Sequence, residues 1–235
     1  MFIKCEVLIN FTVLKPSSMN EDISNYLNQI RRDFSGKSLS KASVHQNPMK
    51  QYALWFEEAV NAQLLDPYAM ALTTVGATGQ PATRIVYMRG IEGDGFVFYT
   101  NYKSDKGKDI EMNNKVALNF FWGGLERQIR VEGVAEKISG EASDVYFAQR
   151  PRESQIGAWA SAQSQKIDDR KQLEEHVAFY TEKFKTTAVP RPKHWGGYLV
   201  KPTKIEFWQG RPNRLHDRII YTKKKNDWKR DRVAP

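Results

Sequence analysis

The sequence predicts a mainly β protein, an antiparallel sheet or barrel with helices on its flanks. Three observations predict it. Strand-like runs between residues 69 and 138 follow one another through short glycine turns, with a single short helix among them. No GxGxxG or GxxxxGK[ST] loop opens a βα unit. Long helical periodicity lies before and after that block, not alternating with it. The 235 residues are 40% hydrophobic and 12% aromatic, enough for one core without metal or disulfide support.

The elements follow in order. Residues 1–18 are mildly apolar, but Glu6, Asn10 and Thr12 interrupt the run and no small-x-small cleavage site follows, so they read as a dispensable extension and not a secretion signal. Residues 20–33 form a short helix, and the polar stretch 35–46 reads as a mobile linker; residues 19–46 together make an N-terminal helix and lid segment ahead of one domain, 47–235. Asn47 as N-cap and Pro48 at the first helical position start a helix with a packing stripe of Met49, Tyr52, Phe56, Val60 and Leu64. Strands are expected at 69–75, 82–91, 96–100, 116–122 and 127–138, with turns at 76–80, 92–95 and 123–124. Ser104 caps a helix to Asn114. Helices near 141–149 and 168–186 precede closing strands at 195–200, 204–208 and 214–221, and a last short one at 227–232.

Charge and chemistry narrow the function. The net charge is +9, and residues 201–235 hold 11 Lys/Arg against 4 Asp/Glu. A basic surface, nucleic-acid binding and pockets for small phosphorylated ligands all accommodate that balance; position-specific arginines favour the last. The lone Cys5 excludes an internal disulfide and fits a reducing, cytoplasmic setting. No apolar run reaches membrane-span length. Four histidines without metal spacing or a GxSxG elbow speak against a metal centre and against a serine hydrolase.

Four segments carry the candidate chemistry. On a strand, Arg214, His216 and Arg218 would share one face, an anion site or equally a solvent-facing basic strand. Arg84, Val86 and Met88 would share one face, and Ile85, Tyr87 and Arg89 the other; charges at strand ends are also common at water. The run 99–106 joins a strand to a helix N-terminus, where Lys106 and free N–H groups suit a phosphate, although a capped surface helix has the same pattern. Residues 150–161 are more polar than a packing helix with Trp159 requires.

These segments are collinear with a known family. Arg84-Ile-Val, Phe98-Tyr-Thr-Asn101, Leu125-Glu-Arg-Gln128, Arg150-Pro-Arg152, Ser154-Gln-Ile-Gly-Ala-Trp159, Trp195-Gly-Gly197, Glu206-Phe-Trp-Gln-Gly210, Arg214-Leu-His-Asp-Arg218 and Arg232-Val-Ala-Pro235 resemble the pyridoxine/pyridoxamine 5′-phosphate oxidases across about residues 30–235. The resemblance implies a homodimeric FMN-binding split β-barrel. It implies oxidation of pyridoxamine or pyridoxine 5′-phosphate to pyridoxal 5′-phosphate by hydride transfer to FMN, with O₂ as final acceptor and no metal, nucleic acid or membrane involved.

Carried over by motif, the FMN contacts are Arg84, Ile85, Val86, Tyr87, Met88, Arg89, Tyr99, Thr100, Asp105, Lys106, Gln128, Gln163, Ser164, Trp208 and Arg218. Gln163 and Ser164 are expected to reach across the subunit interface, and Arg84, Lys106 and Arg218 to hold the FMN phosphate. The substrate contacts are Arg31, Arg89, Tyr146, Arg150, Ser154, Arg214, Leu215 and His216, with Arg214 and His216 catalytic. Three positions depart from the common pattern: Arg89 replaces Lys, Asp105 replaces Arg, and Phe34 replaces Tyr. Asp105 is therefore expected to turn toward solvent. A split-barrel FMN oxidoreductase with another substrate, and a non-catalytic flavin or pyridoxal phosphate carrier, are the alternative readings.

Overall fold

A computed structural model describes residues 19–30, 33–225 and 227–235. After helix α1 (Met19–Gln29), residues 33–46 form no helix or strand, and α2 (Pro48–Asn61) follows, capped by Asn47, whose side chain accepts from the Met49 and Lys50 N–H groups. Strands β1 (Ala69–Val75), β2 (Pro81–Tyr87), β3 (Gly90–Glu92) and β4 (Gly95–Asn101) follow, then α3 (Asp105–Met112), β5 (Lys115–Trp122) and β6 (Arg127–Lys137). Three helices, α4 (Gly140–Ala148), α5 (Arg152–Ala160) and α6 (Arg170–Lys183), precede β7 (Trp195–Gln209), β8 (Asp217–Lys224) and β9 (Asp227–Val233).

Among the described residues, nine strands join one antiparallel sheet, ordered β2-β1-β5-β6-β7-β4-β3, with β8 added along β7 and β9 along β8. The sheet curls into a half-barrel. Strand β7 explains the split. One of its edges follows β6 from Tyr198 to Gln209, while the other pairs first with β4 (Trp195–Val200) and then with β8 (Lys204–Gln209). Pro202, which has no N–H to donate, falls where the β6–β7 register shifts between Glu132 and Gly133. The sequence reading divided β7 into two strands at this irregularity; the ladder runs through it.

Helix α2 plugs the barrel. Tyr52 is fully buried, with its ring 4.9 Å from Phe96 and 5.2 Å from Phe120, and Trp55 meets Phe207 edge-on at 5.2 Å. The expected stripe is rotated: Met49, Tyr52, Trp55 and Ala59 face the core, whereas Val60 is exposed and Phe56 only half-buried. A second apolar cluster of Phe147, Ile156, Phe184, Val189 and Trp195 seats α4–α6 on the start of β7.

The segment 33–46 differs from the expected loose linker. Leu39 and Val44 are buried, and Ser35 and Leu39 donate their N–H groups to Glu126 and Asp217, each at 2.9 Å. It forms a strap across the β7–β8 end of the sheet. The dispensable extension expected at 1–18 and the contact expected at Arg31 lie outside the described residues.

Gly107 sets the approach of α3. A Cβ there would lie 2.2 Å from the Tyr102 carbonyl oxygen. An exposed helical Gly→Ala exchange gains up to about 1 kcal/mol in propensity; overpacking against rigid backbone costs roughly 1–3 kcal/mol. Gly107→Ala is therefore expected to lower the urea midpoint, and a raised midpoint would contradict the close approach.

Candidate active site

A cleft of about 460 Å³ opens between β2, β4 and the α4–α5 corner. Its wall is a parallel aromatic stack. The Tyr99 and Tyr146 rings lie 3.7 Å apart with 6° between their planes, and Trp195 continues the stack 5.4 Å from Tyr99. Tyr99 comes from β4, Tyr146 from α4 and Trp195 from the first position of β7, so three elements must assemble before this wall exists. Burial raises the Tyr99 hydroxyl to about 12, leaving it protonated at neutral pH.

Cations stand in two groups. Arg150 lies 4.6 Å over the Trp195 ring, and its buried Nη1 has no hydrogen-bond partner. Burial holds its pKa below the ordinary value, and the nearby Arg89 charge acts in the same direction. Arg89 stacks between Tyr87 at 5.1 Å and Tyr68 at 5.5 Å. Two guanidiniums facing one cleft repel each other, and a bound anion removes that cost. Ser154, in the first turn of α5, lines the same side. Gln155 donates to the Phe147 and Ala148 carbonyls and closes the corner that carries Arg150.

Lys106 forms the second group. Its Nζ donates to Gln163 Oε1 (2.9 Å), Ser104 Oγ (3.1 Å) and Thr100 Oγ1 (3.2 Å), just inside the α3 N-terminus. Burial lowers its pKa, as does the Arg84 charge; Asp105 opposes both. Arg84 does not line the cleft. It donates to Thr74 Oγ1 at 2.6 Å and to the Ala82 carbonyl, with Asp109 at 3.9 Å. Asp105 is exposed in the first helical turn.

Many predicted residues therefore share this one cleft: Ile85, Val86, Tyr87 and Arg89 from β2 and the turn after it, Tyr99 and Thr100 from β4, and Lys106, Tyr146, Arg150, Ser154 and Gln163. Others do not. Met88 accepts a hydrogen bond from Tyr52 at 3.3 Å and belongs to the core packing. Ser164 is exposed, in a left-handed conformation (φ 70°), and does not line the cleft. Within its own chain, Gln163 Oε1 accepts from Lys106 Nζ and Thr100 Oγ1.

The remaining residues gather at the far end of β7. Gln128, Trp208 and Arg218 sit side by side across β6, β7 and β8. Arg218 is held by Glu206 through two 2.9 Å contacts, so it is not beside Lys106 as expected for a shared phosphate. Arg214, Leu215 and His216 precede β8 instead of lying on it. Pro212 starts a tight turn in which Asn213 and Arg214 take positive φ (56° and 60°), which breaks the strand alternation assumed from spacing. The His216 ring packs 4.6 Å from Trp208 and 5.1 Å from Phe34. Its Nδ1 accepts the Arg211 N–H at 3.2 Å, so a neutral ring carries its proton on Nε2. Burial lowers the His216 pKa, with the Arg214 charge adding to it.

Sequence reasoning gave no role to Trp195, the end of the aromatic stack. Its motif, Trp195-Gly-Gly197, was visible; its place beside Tyr99 depended on the β4–β7 pairing.

Comparison with known proteins agrees with this arrangement. Residues 56–182 match the family model described as pyridoxamine 5′-phosphate oxidase, and residues 195–235 match the pyridoxine 5′-phosphate oxidase C-terminal dimerisation region. The chain belongs to the pyridoxamine 5′-phosphate oxidase family. A pyridoxine/pyridoxamine 5′-phosphate oxidase of Rubrobacter xylanophilus is 48% identical over 92% of this chain and 100% of the relative. One of Cytophaga hutchinsonii is 52% identical over 83% of this chain and 91% of the relative. Among solved structures, PhzG from Burkholderia lata 383, in complex with tetrahydrophenazine-1-carboxylic acid, superposes with a TM-score of 0.80 at 28% identity, covering 86% of this chain and 100% of PhzG. Among the described residues, no helix is long and apolar enough to cross a membrane, and no cluster of three His, Cys, Asp or Glu could hold a metal.

The depressed Lys106 pKa has a direction that can be tested. The unfolded chain keeps this proton to higher pH, so its contribution to stability rises with pH between the folded value and 10.5. Affinity for a phosphate-bearing ligand should fall over the same interval, as the cation is lost. Titration with such a ligand above neutral pH is expected to show this fall, and Lys106→Met to flatten it; an unchanged slope in the variant would assign the effect elsewhere.

Proposed function

We propose that this chain oxidises pyridoxamine 5′-phosphate and pyridoxine 5′-phosphate to pyridoxal 5′-phosphate, with FMN as resident cofactor. The observation that carries the reading is the pair of cationic groups in one aromatic-walled cleft. Two phosphate-bearing ligands with flat rings, a flavin mononucleotide and a pyridine phosphate, match that donor set. The unpartnered Nη1 of Arg150 supports it further, since a buried donor without an acceptor is costly and an anion satisfies it.

Lys106, with the free N–H groups of α3 and the charge of Arg84, would hold the FMN phosphate. Arg89, Arg150 and Ser154 would hold the substrate phosphate, with Tyr146 beside them. When bound, FMN would supply a two-electron acceptor that dioxygen can regenerate. The chain's own work is positioning and electrostatics. Arg214 would hold and polarise the substrate. His216, held neutral by burial and by Arg214, offers its Nε2–H for orientation.

The site needs a second copy. Trp195 and Trp208 stand at opposite ends of β7, separated by about 40 Å of strand at roughly 3.3 Å per residue, so one chain does not bring Lys106 and Arg214 to one small ligand. Apolar side chains are exposed near both halves: Ile85 (65%) at the cleft, and Phe121 (67%), paired with Gln128, and Leu215 (67%) at the far end. Such surface fits burial in a homodimer. Each site would combine the cleft of one protomer with the Arg214–His216 turn of its partner.

Two experiments test these readings. Anaerobic addition of pyridoxamine 5′-phosphate to the FMN-loaded protein should bleach the flavin colour, with air restoring it. Retained colour would favour a related oxidoreductase with another substrate or a carrier. For the shared site, Lys106→Met and Arg214→Ala chains, each inactive alone, are mixed after dissociation. Random pairing of two-site dimers should restore about a quarter of wild-type activity, and no gain over the parents would place both residues in one chain's site.

A further inference from the structure

We infer that Asp217 is a positioning residue that couples the 33–46 strap to the Arg214–His216 turn. This rests on the substrate-handling role proposed for that turn. Asp217 is 5% exposed, an unusual place for a carboxylate, and sits between His216 and Arg218 at the first position of β8. Three groups from three parts of the chain meet it. The Leu39 N–H of the strap donates to Oδ2 at 2.9 Å, Arg211 Nε lies 3.5 Å from the same oxygen, and Arg232 of β9 donates to Oδ1.

Both arginines also reach the strap. Arg211 Nη1 donates to the Gly36 carbonyl at 2.7 Å, and Arg232 Nη1 to the Leu39 carbonyl at 3.4 Å. The strap, Arg211, Asp217 and Arg232 therefore close a ring of charge-assisted hydrogen bonds and one ion pair, Arg211–Asp217. Arg211 extends that ring to the turn, because its backbone N–H is the donor to His216 Nδ1. Phe34 completes the contact from the strap side, edge-on to both His216 and Trp208. Gly36 lies flush on the chain: a Cβ there would be 2.6 Å from the Gly210 carbonyl oxygen. The strained turn, with Arg214 at φ 60°, thus has a buried carboxylate behind it and the strap across it. Removing the charge of Asp217 loosens both partners at once.

The test is Asp217→Asn in the FMN-loaded full chain. The amide can still accept from Leu39 N–H but no longer holds two guanidiniums as an anion. Two readouts are taken together. Trypsin cleavage at the exposed Lys37 and Lys41 reports the strap; kcat and KM for pyridoxamine 5′-phosphate report the turn. We expect cleavage to accelerate and kcat/KM to fall about tenfold or more, with FMN content unchanged and Asp217→Glu restoring part of both. Either change without the other, or neither, overturns the coupling. If Asp217→Asn fails to fold, Arg211→Gln decides by the same two readouts, since it cuts the link to Gly36 and leaves Asp217 paired with Arg232. Arg214→Ala in parallel separates the two failures. Normal turnover there counts against the substrate role of the turn, whereas a loss there with unchanged Asp217→Asn kinetics counts against Asp217.

Discussion

Strand β7 is the constraint on which the rest of this structure depends. It is the one element bonded to β6, β4 and β8, and its 15 residues carry Trp195 at one end and Trp208 near the other. The first end closes the aromatic wall of the cleft; the second supports the Arg214–His216 turn. Because a strand is stiff along its length, the separation of the cleft from the Arg214–His216 turn is built into the sheet. The same geometry that keeps them apart in one chain would let the proposed symmetric pair bring unlike ends together.

Electrostatics divide the molecule in a similar way. Away from the cleft, buried charges are compensated: Glu206 takes Arg218, Asp217 takes Arg211 and Arg232, and Arg191 is satisfied by Asp144 and the Trp195 carbonyl. Inside the cleft, Arg89, Arg150 and Lys106 face space that no carboxylate lines among the described residues. Their cost is borne by aromatic stacking and by short-range hydrogen bonds to neutral side chains. An unbalanced charge set in a concave site is a preorganised receptor for anions.

Much of this was legible in the sequence, for local reasons. Asn47-Pro48, the glycine turns and Ser104 mark boundaries through their own backbone chemistry, and the α2, β1 and α3 limits follow them. Alternation put Ile85, Tyr87 and Arg89 on one face of the 81–90 segment, and the structure makes that face the more exposed one. Alternation failed at Arg214, where a left-handed turn replaces the strand; no spacing rule signals a positive φ at arginine. The strap was misread for another reason. Its polar composition describes side chains, but its backbone is what binds, to Glu126, Asp217 and Arg211. The partition of site residues into two groups was hidden as well, since motif order along the chain carries no information about which end of β7 each motif reaches.

The β4–β7 ladder also has a consequence for how the chain folds. Thr100 pairs with Gly196 and Phe98 with Tyr198, across roughly a hundred residues of intervening sequence. As the polypeptide leaves the ribosome, β4 and β6 emerge well before the strand that will lie between them. Until β7 arrives, each presents an open edge of unpaired N–H and C=O groups, flanked by Phe96, Phe98 and Ile129 that will later be buried. The nascent chain is thus most vulnerable to association just before β7 emerges, and loss of residues 195–209 would leave two sticky edges in place of a barrel seam.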